Sequence, residues 1–190
     1  MHTIEPYFGW QHLYDSSEDA LSPFYGQTYS EFEYSQTIYN YFIHPFWDAI
    51  GSPTLYVKII MADYEASFLI AELIGEWNDA IHNDIMYLKR DIMDLYKDNG
   101  ITKFILIGEN VLNFHGSDSS YYDEWNEELT DLGGWICFIN FLPHVVDEFR
   151  MEKLHNYINL HDELQNIEWR KLKPESLYQL ANSFQFKYLK

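Results

Sequence analysis

Two apolar segments, Phe104–Gly108 and Trp135–Leu142, do most to limit the folds open to this 190-residue chain. Neither segment alternates between apolar and polar residues, and this pattern is typical of strands covered on both faces of a sheet. The helical pattern between them, from Ser120 to Leu132, is long enough for a crossover connection, which joins parallel strands. We therefore expect the two segments to be adjacent, parallel, central strands of an α/β fold.

A hairpin and a helix are predicted before these strands. Leu55–Met61 alternates like a half-buried strand, and Ser67–Ile74 follows after a connection short enough for an antiparallel hairpin. A helix then begins at Asn83 or Asp84 and ends at Gly100. Its apolar residues recur at spacings of three and four: Ile85, Leu88, Ile92 and Leu95.

Three helices are predicted after the second apolar segment. Pro143 begins the first, because proline is tolerated in the first turn of a helix. Its apolar positions are Val146, Phe149, Leu154 and Ile158. Leu160–Leu172 and Pro174–Phe184 have helical patterns as well. The fold class is therefore α/β with a small mixed sheet, in which an antiparallel hairpin precedes alternating helices and parallel strands.

The segment before the hairpin is harder to assign. Gly26–Tyr34 fits a strand and Thr37–Ile50 fits a helix, but Pro45 would disrupt that helix in its middle, so both assignments stay open. No linker rich in Gly, Pro or Ser divides the chain. We expect a single domain with an aromatic extension over residues 1–54, an α/β core over 55–158 and C-terminal helices over 159–190.

The charge of the chain restricts its partners. The formal net charge is −18, with 30 acidic and 12 basic residues, which disfavours nucleic acid and anionic membranes. Residues 1–149 hold 25 acids and 5 bases, whereas residues 150–190 hold 5 acids and 7 bases, so we expect the C-terminal segment to pack on the acidic body. Without a bilayer-length apolar run or the pattern of a signal peptide, a cytoplasmic location is expected.

Polar residues follow the first apolar strand, and the sequence predicts a functional loop there, from Glu109 to Ser120. Glu109, His115 and Asp118 provide groups for acid–base chemistry or for binding a divalent metal ion, and His144 follows the other apolar strand. Their spacing matches no specific motif, and such residues in polar loops are most often solvated. The sequence therefore predicts no cofactor and no metal site, and these four residues form an alternative catalytic set. Cys137 is expected to be a buried, unreactive thiol.

The order of elements over residues 55–157 resembles the STAS domain of anti-sigma-factor antagonists. In that family a serine at the start of a helix, within an Asp-Ser-Ser-Gly pattern, is phosphorylated. Asp118, Ser119 and Ser120 match the pattern, and Tyr121 stands where the family has glycine. The resemblance implies that Ser119 or Ser120 is a phosphorylation site. From the residues alone, Ser120 is an N-cap that forms a capping box with Asp123.

The segment from Met1 to Tyr56 contains 15 of the chain's 35 aromatic side chains and neither Lys nor Arg. Such a segment either lines a sugar or nucleobase site or packs in a core or an interface, and packing is the simpler interpretation. The absence of basic residues argues against ligands that carry phosphate.

Three functional hypotheses follow from these patterns. The first is a non-enzymatic, cytoplasmic, regulatory domain that binds another protein and is switched by phosphorylation at Ser119 or Ser120. The second is a small hydrolase that uses the alternative catalytic set. The third is a homodimer with an aromatic interface. A convergent pocket at the strand ends would favour the hydrolase, whereas dispersed side chains would favour the binding domain.

Overall fold

The computed structural model describes residues 2–185 and contains two sheets. A short hairpin pairs β1 (Thr37–Ile38) with β2 (Tyr41–Phe42). The main sheet has five strands, which are adjacent in chain order: β3 (Asp48–Ala49), β4 (Leu55–Asp63), β5 (Phe68–Asn78), β6 (Lys103–His115) and β7 (Trp135–Ile139). Strands β3, β4 and β5 are antiparallel to one another, whereas β5, β6 and β7 run parallel. This mixed sheet with its helices confirms the predicted fold class.

Strands β6 and β7 pair in parallel as predicted, but β7 is the last strand of the sheet and ends at Ile139 instead of Leu142. Its side chains are buried on both faces, which explains the uninterrupted apolar pattern. Its outer edge is partly covered by Asn159, which forms an isolated bridge with it. The Asn159 N–H donates to the carbonyl of Ile136, and the Asn159 carbonyl accepts from the N–H of Phe138.

The helix after β5 contains a π-helical segment that changes which residues are buried. A single turn, α1 (Asp79–His82), precedes α2 (Asp84–Met86), the π-helical residues Tyr87–Met93 and α3 (Asp94–Asp98). Ile85, Leu88 and Ile92 face the core as predicted, but Leu95 is exposed and the core continues with Met93 and Tyr96. A π-helix has more residues per turn than an α-helix, so the apolar stripe shifts around the axis beyond it.

The other helices are α4 (Ser120–Asp131), α5 (Pro143–Met151) and α6 (Pro174–Gln185). The predicted capping box at Ser120 is wrong. Ser119 occupies the N-cap position and makes no side-chain capping bond, while the carboxylate of Asp118 accepts from the N–H of Ser120. Helix α5 is shorter than expected, so that Leu154 and Ile158 are buried beyond its end.

The helix predicted over Leu160–Leu172 is absent from the described structure. The region instead contains isolated 3₁₀ turns, among them Asp162–Leu164 and Trp169–Lys171. Its polar groups bond to the sheet and to the segment after β7: the Leu164 carbonyl accepts from the N–H of Asn140, and the Gln165 side chain donates to the Phe138 carbonyl. These contacts compete with the hydrogen bonds of a regular helix.

The sheet is covered on both faces. One face is covered by the helical segments between β5 and β6, together with α4 and α5. The other face is covered by Trp10 and by residues from the C-terminal part of the chain, including Leu164, Trp169, Leu177, Ala181 and Phe184. The C-terminal segment thus packs on the body, as the charge distribution predicted. Within residues 2–185, no helix has the length and apolar character that crossing a bilayer would require.

Residues 26–34 form no strand and residues 37–50 form no helix. Both assignments that the sequence left open for the segment before the β4–β5 hairpin are therefore wrong. Ile38, Ile43 and Trp47 are buried in a small cluster with Tyr56 and Ile74 of the sheet. The aromatic extension therefore contributes packing, as expected. Several of its other aromatic residues remain exposed to solvent: Tyr25, Phe32, Tyr39, Tyr41 and Phe42.

Candidate functional site

Strands β5 and β6 extend well beyond the end of β7, and this extension replaces most of the predicted functional loop. Residues Asn110–His115 pair with Ile74–Asn78 of β5, so the loop proper is only Gly116–Ser119. The prediction that Glu109 begins a loop is therefore wrong. Polar residues can belong to this strand because its backbone groups are paired on one side by β5.

Helix α5 satisfies part of the other side of Asn110–His115, because the pairing of β6 with β7 ends at Ile107 and no strand of residues 2–185 continues it. The Leu112 carbonyl accepts from Nε2 of His144 at 2.7 Å, and Oε2 of Glu148 accepts from the N–H of Phe114 at 3.0 Å. A carbonyl can only accept, so a proton of this histidine lies on Nε2. His144 thus protects an open strand edge, which would otherwise be available for pairing with another chain.

Glu109 is held by three side-chain donors. Its Oε1 atom accepts from Trp169 at 2.6 Å and from Asn140 at 2.9 Å, and Oε2 accepts from Arg170 at 2.6 Å. Partial burial favours the neutral carboxyl, but the hydrogen bonds from Asn140, Arg170 and Trp169 outweigh it and lower the pKa of Glu109. Glu109 therefore anchors the C-terminal segment to the sheet.

The structure does not bring the alternative catalytic set together. Glu109 and His115 lie six positions apart on one strand, which corresponds to about 20 Å. Asp118 is exposed and accepts from Ser120, and this interaction lowers the pKa of Asp118. In the described part of the chain, no group of three or more His, Cys, Asp or Glu side chains is arranged to hold a metal ion. Glu109, Asp118 and His144 each have a separate hydrogen-bonding partner.

A different set of side chains converges at this end of the sheet. Oε2 of Glu76 accepts from the Tyr39 hydroxyl at 2.7 Å, and Oε1 accepts from Asn113 at 3.2 Å. Three apolar side chains from different elements are exposed at the same end of the sheet: Tyr39 by 64%, Leu112 by 43% and Ile81 by 77%. We call Tyr39, Glu76, Ile81 and Leu112 the edge surface.

Local irregularities in the strands shape the edge surface. The register between β5 and β6 skips Leu112, and such a β-bulge redirects a side chain, which here reaches solvent. Gly75 has φ +117°, and a Cβ atom on it would lie 2.0 Å from the carbonyl oxygen of Thr54. Only glycine fits there, so Gly75 fixes the backbone immediately before Glu76.

A buried hydrogen-bond network holds the turn that carries Ile81 of the edge surface. Asp79 accepts from the Tyr122 hydroxyl at 2.6 Å, from Nε1 of Trp77 at 2.9 Å and from the N–H of Ile85 at 2.8 Å. Burial raises the pKa of Asp79 to about 6, although hydrogen bonds, the strongest from Tyr122, act in the opposite direction. This network joins α1, which carries Ile81, to α4.

The two predicted phosphorylation sites lie at the same end of the sheet. Ser120 is exposed as the first residue of α4, two positions before Tyr122. Ser119 is half-buried, and its hydroxyl donates to the hydroxyl of Tyr157 at 3.4 Å. Sequence reasoning placed these serines correctly at the strand end but missed the edge surface. Ile81 carried a signal, as an apolar residue inside a polar segment, whereas the hairpin of Tyr39 and the bulge at Leu112 left none.

No protein-family model matches the chain, and no curated protein matches it. Among solved structures, the chain is similar to the Bacillus cell fate determinant SpoIIAA in its phosphorylated form. The match has 15% sequence identity and a TM-score of 0.36, and it covers 56% of this chain and 93% of the other. It concerns the arrangement of elements over about half of this chain.

Proposed function

We propose that this domain binds another protein through its edge surface. The observation that carries the proposal is that Tyr39, Ile81 and Leu112 are all exposed at the end of the sheet where the Glu76 carboxylate accepts from the Tyr39 hydroxyl. Apolar side chains grouped on a surface and bordered by polar residues mark interaction sites. Leu112 lies on strand β6 and Ile81 on a turn held by the Asp79 network, so little ordering entropy opposes binding at these two side chains.

The charge of the chain supports a basic partner. With a net charge of −18, the protein attracts positively charged surfaces over long distances and repels acidic ones. Complementary charge mainly increases the rate of association, whereas buried apolar side chains determine how long the complex lasts. We therefore infer a protein partner that presents apolar side chains within a basic surround. The cytoplasmic location remains a prediction.

The proposal includes regulation by phosphorylation of Ser120, with Ser119 as the second candidate. Ser120 is accessible, and a phosphate there would lie at the N-terminus of α4, where free amides and the helix dipole favour negative charge. The added charge would act on the edge surface through Tyr122 and Asp79, which connect α4 to the turn that carries Ile81.

The binding proposal is tested by capturing proteins from a lysate of the source cells with tagged variants and quantifying them by mass spectrometry. Ile81→Ser and Leu112→Ser should each lose a partner that the wild type retains. Leu132→Ser is the matched control, because Leu132 is also exposed but precedes β7 at the opposite end of the sheet. A partner lost from all three variants, or from none, would contradict binding at the edge surface.

Further measurements test regulation by phosphorylation and self-association separately from binding at the edge surface. Ser120→Asp should change partner capture while the urea unfolding curve stays the same, and Ser119→Ala and Ser120→Ala together should abolish phosphorylation by cell extract. Identical capture by all serine variants would leave these residues as structural parts of the turn. Sedimentation equilibrium of the wild type and Ile81→Ser would reveal a second copy of this chain as the partner.

A further inference from the structure

A cavity of about 350 Å³ lies between the aromatic extension and strand β4. Its walls include five aromatic side chains: Tyr7, Phe8, Tyr14, Tyr29 and Phe46. The cavity reaches the surface, because Glu31 on its lining is exposed. Its volume falls within the range of small-molecule sites, which are mostly apolar with a few polar groups. We call it the N-terminal cavity.

Among the described residues on the lining, Lys58 is the only basic one, and it is already neutralised. Its Nζ atom lies 3.1 Å from Oδ2 of buried Asp48 and 3.7 Å from the centre of the Tyr29 ring. Asp48 also accepts from the Tyr29 hydroxyl at 2.7 Å. The ion pair therefore contributes little net charge, and it shows that an ammonium group is accommodated against an aromatic face of this cavity.

The remaining charged groups on the lining are carboxylates: Glu5, Asp15 and Glu31. Glu5 lies 3.7 Å from the ring of His44, and Asp15 accepts from Gln11 and Ser17. An anionic ligand would meet these groups without a free cation, since the described part of the segment from Met1 to Tyr56 has neither Lys nor Arg. The cavity therefore disfavours phosphates and carboxylates and favours a cation.

One buried polar atom on the lining also lacks a partner. The Ser16 side chain is 1% exposed, and its Oγ atom has no hydrogen-bond partner within 3.5 Å among the described residues. The Tyr29 hydroxyl is near it, but the two form no hydrogen bond of good geometry. Because this atom is shielded from water, a ligand in the cavity would not reach it, and the attraction for a cation must come from the aromatic side chains and the carboxylates.

We propose that the N-terminal cavity binds a small organic ammonium ion. Aromatic faces attract such cations through their quadrupoles, and nearby carboxylates add to the attraction. This site is separate from the edge surface and does not depend on the proposed protein binding.

The proposal is tested by calorimetric titration of the full chain with choline, tetramethylammonium and butylammonium. The control ligand is 3,3-dimethylbutan-1-ol, which has the shape of choline without its charge. Choline should bind with one-to-one stoichiometry and about tenfold more tightly than the neutral alcohol. Equal binding of the two, or the absence of saturable binding by all three ammonium ions, would overturn the proposal.

Matched variants locate the site. Phe46→Leu keeps the apolar volume and removes an aromatic face, and Glu31→Gln removes a charge from an exposed residue that the fold does not need. Each should weaken choline binding by about threefold to tenfold. Phe32→Leu and Glu33→Gln make the same changes at exposed positions outside the lining and should leave binding unchanged. Equal effects of both pairs would place choline elsewhere on the protein and overturn the proposal.

Discussion

Glu72 should make the stability of this protein depend on pH in the neutral range. This residue lies in the middle of β5 and is 1% exposed. Its carboxylate accepts from the N–H of Tyr7 at 2.6 Å and from Arg170 at 3.2 Å, so it joins residues from both ends of the chain to the sheet. Burial raises the pKa of Glu72 to about 7; the hydrogen bond from Tyr7 and the charge of Arg170 lower it, and nearby Glu109 raises it further.

The direction of the effect follows from proton binding. The folded chain holds the Glu72 proton more tightly than the unfolded chain, whose pKa is close to 4.5. The protonated carboxyl therefore contributes stability below pH 4.5, and this contribution is lost as the pH rises through about 7. Each pKa unit corresponds to about 1.36 kcal/mol, so ionisation of Glu72 should lower the free energy of unfolding by about 3 kcal/mol in total. About 2 kcal/mol of this loss falls between pH 5 and pH 8.

Urea unfolding of the wild type and of Glu72→Gln at several pH values measures this contribution. The variant keeps the shape of the side chain but cannot ionise, so its advantage over the wild type should grow by about 2 kcal/mol from pH 5 to pH 8. Glu168→Gln, at an exposed position close to Arg170, is the control and should parallel the wild type. A constant difference between wild type and Glu72→Gln across this range would refute the reasoning.

Three further stability predictions concern other buried contacts, and urea unfolding or thermal melting followed by circular dichroism checks each of them. Tyr122→Phe should cost about 1 to 3 kcal/mol, because it leaves one carboxylate oxygen of Asp79 unpaired in the core. Asp48→Asn should cost about 3 to 5 kcal/mol by leaving Lys58 buried without a counter-charge, and the double variant with Lys58→Met should recover most of that loss. Deleting residues 174–190 should lower the melting temperature even at high salt, since apolar contacts hold α6; an unchanged value would contradict a docked helix.

Much of the fold could be predicted because its periodic signals come from burial. The unbroken apolar run of β7 reflects a strand packed on both faces, and the hairpin of β4 and β5 was predicted correctly. The alternation of β4 wrongly predicted a half-buried strand, because its second face is covered too and Lys58 is buried there as an ion pair with Asp48. The helix after β5 was located, but Leu95 was misassigned because a π-helical insertion leaves no mark in the spacing of residues before it. Over residues 160–172, hydrogen bonds to the sheet prevail over local helical preference.

The candidate site was harder to predict, because its geometry depends on contacts between distant residues. Glu109 reads as the start of a polar loop, yet it binds Trp169 and Arg170, which lie far along the chain in the C-terminal segment. Only the opposite charges of the two parts of the chain hinted at this contact. The pairing of Tyr39 with Glu76 depends on a hairpin of two very short strands, which give no periodic pattern.

The packing of Trp10 against Trp169 has a consequence for synthesis on the ribosome. These rings meet edge to face at 5.5 Å although they come from opposite ends of the chain, and they cover the sheet face that contains Ile70 and Ile105. While the chain is being made, that apolar face lacks its full cover until Trp169 has left the exit tunnel. The nascent chain therefore exposes an aggregation-prone sheet surface from the time β6 and β7 have emerged until the C-terminal segment follows, and closing it requires contacts of high sequence separation, which form slowly.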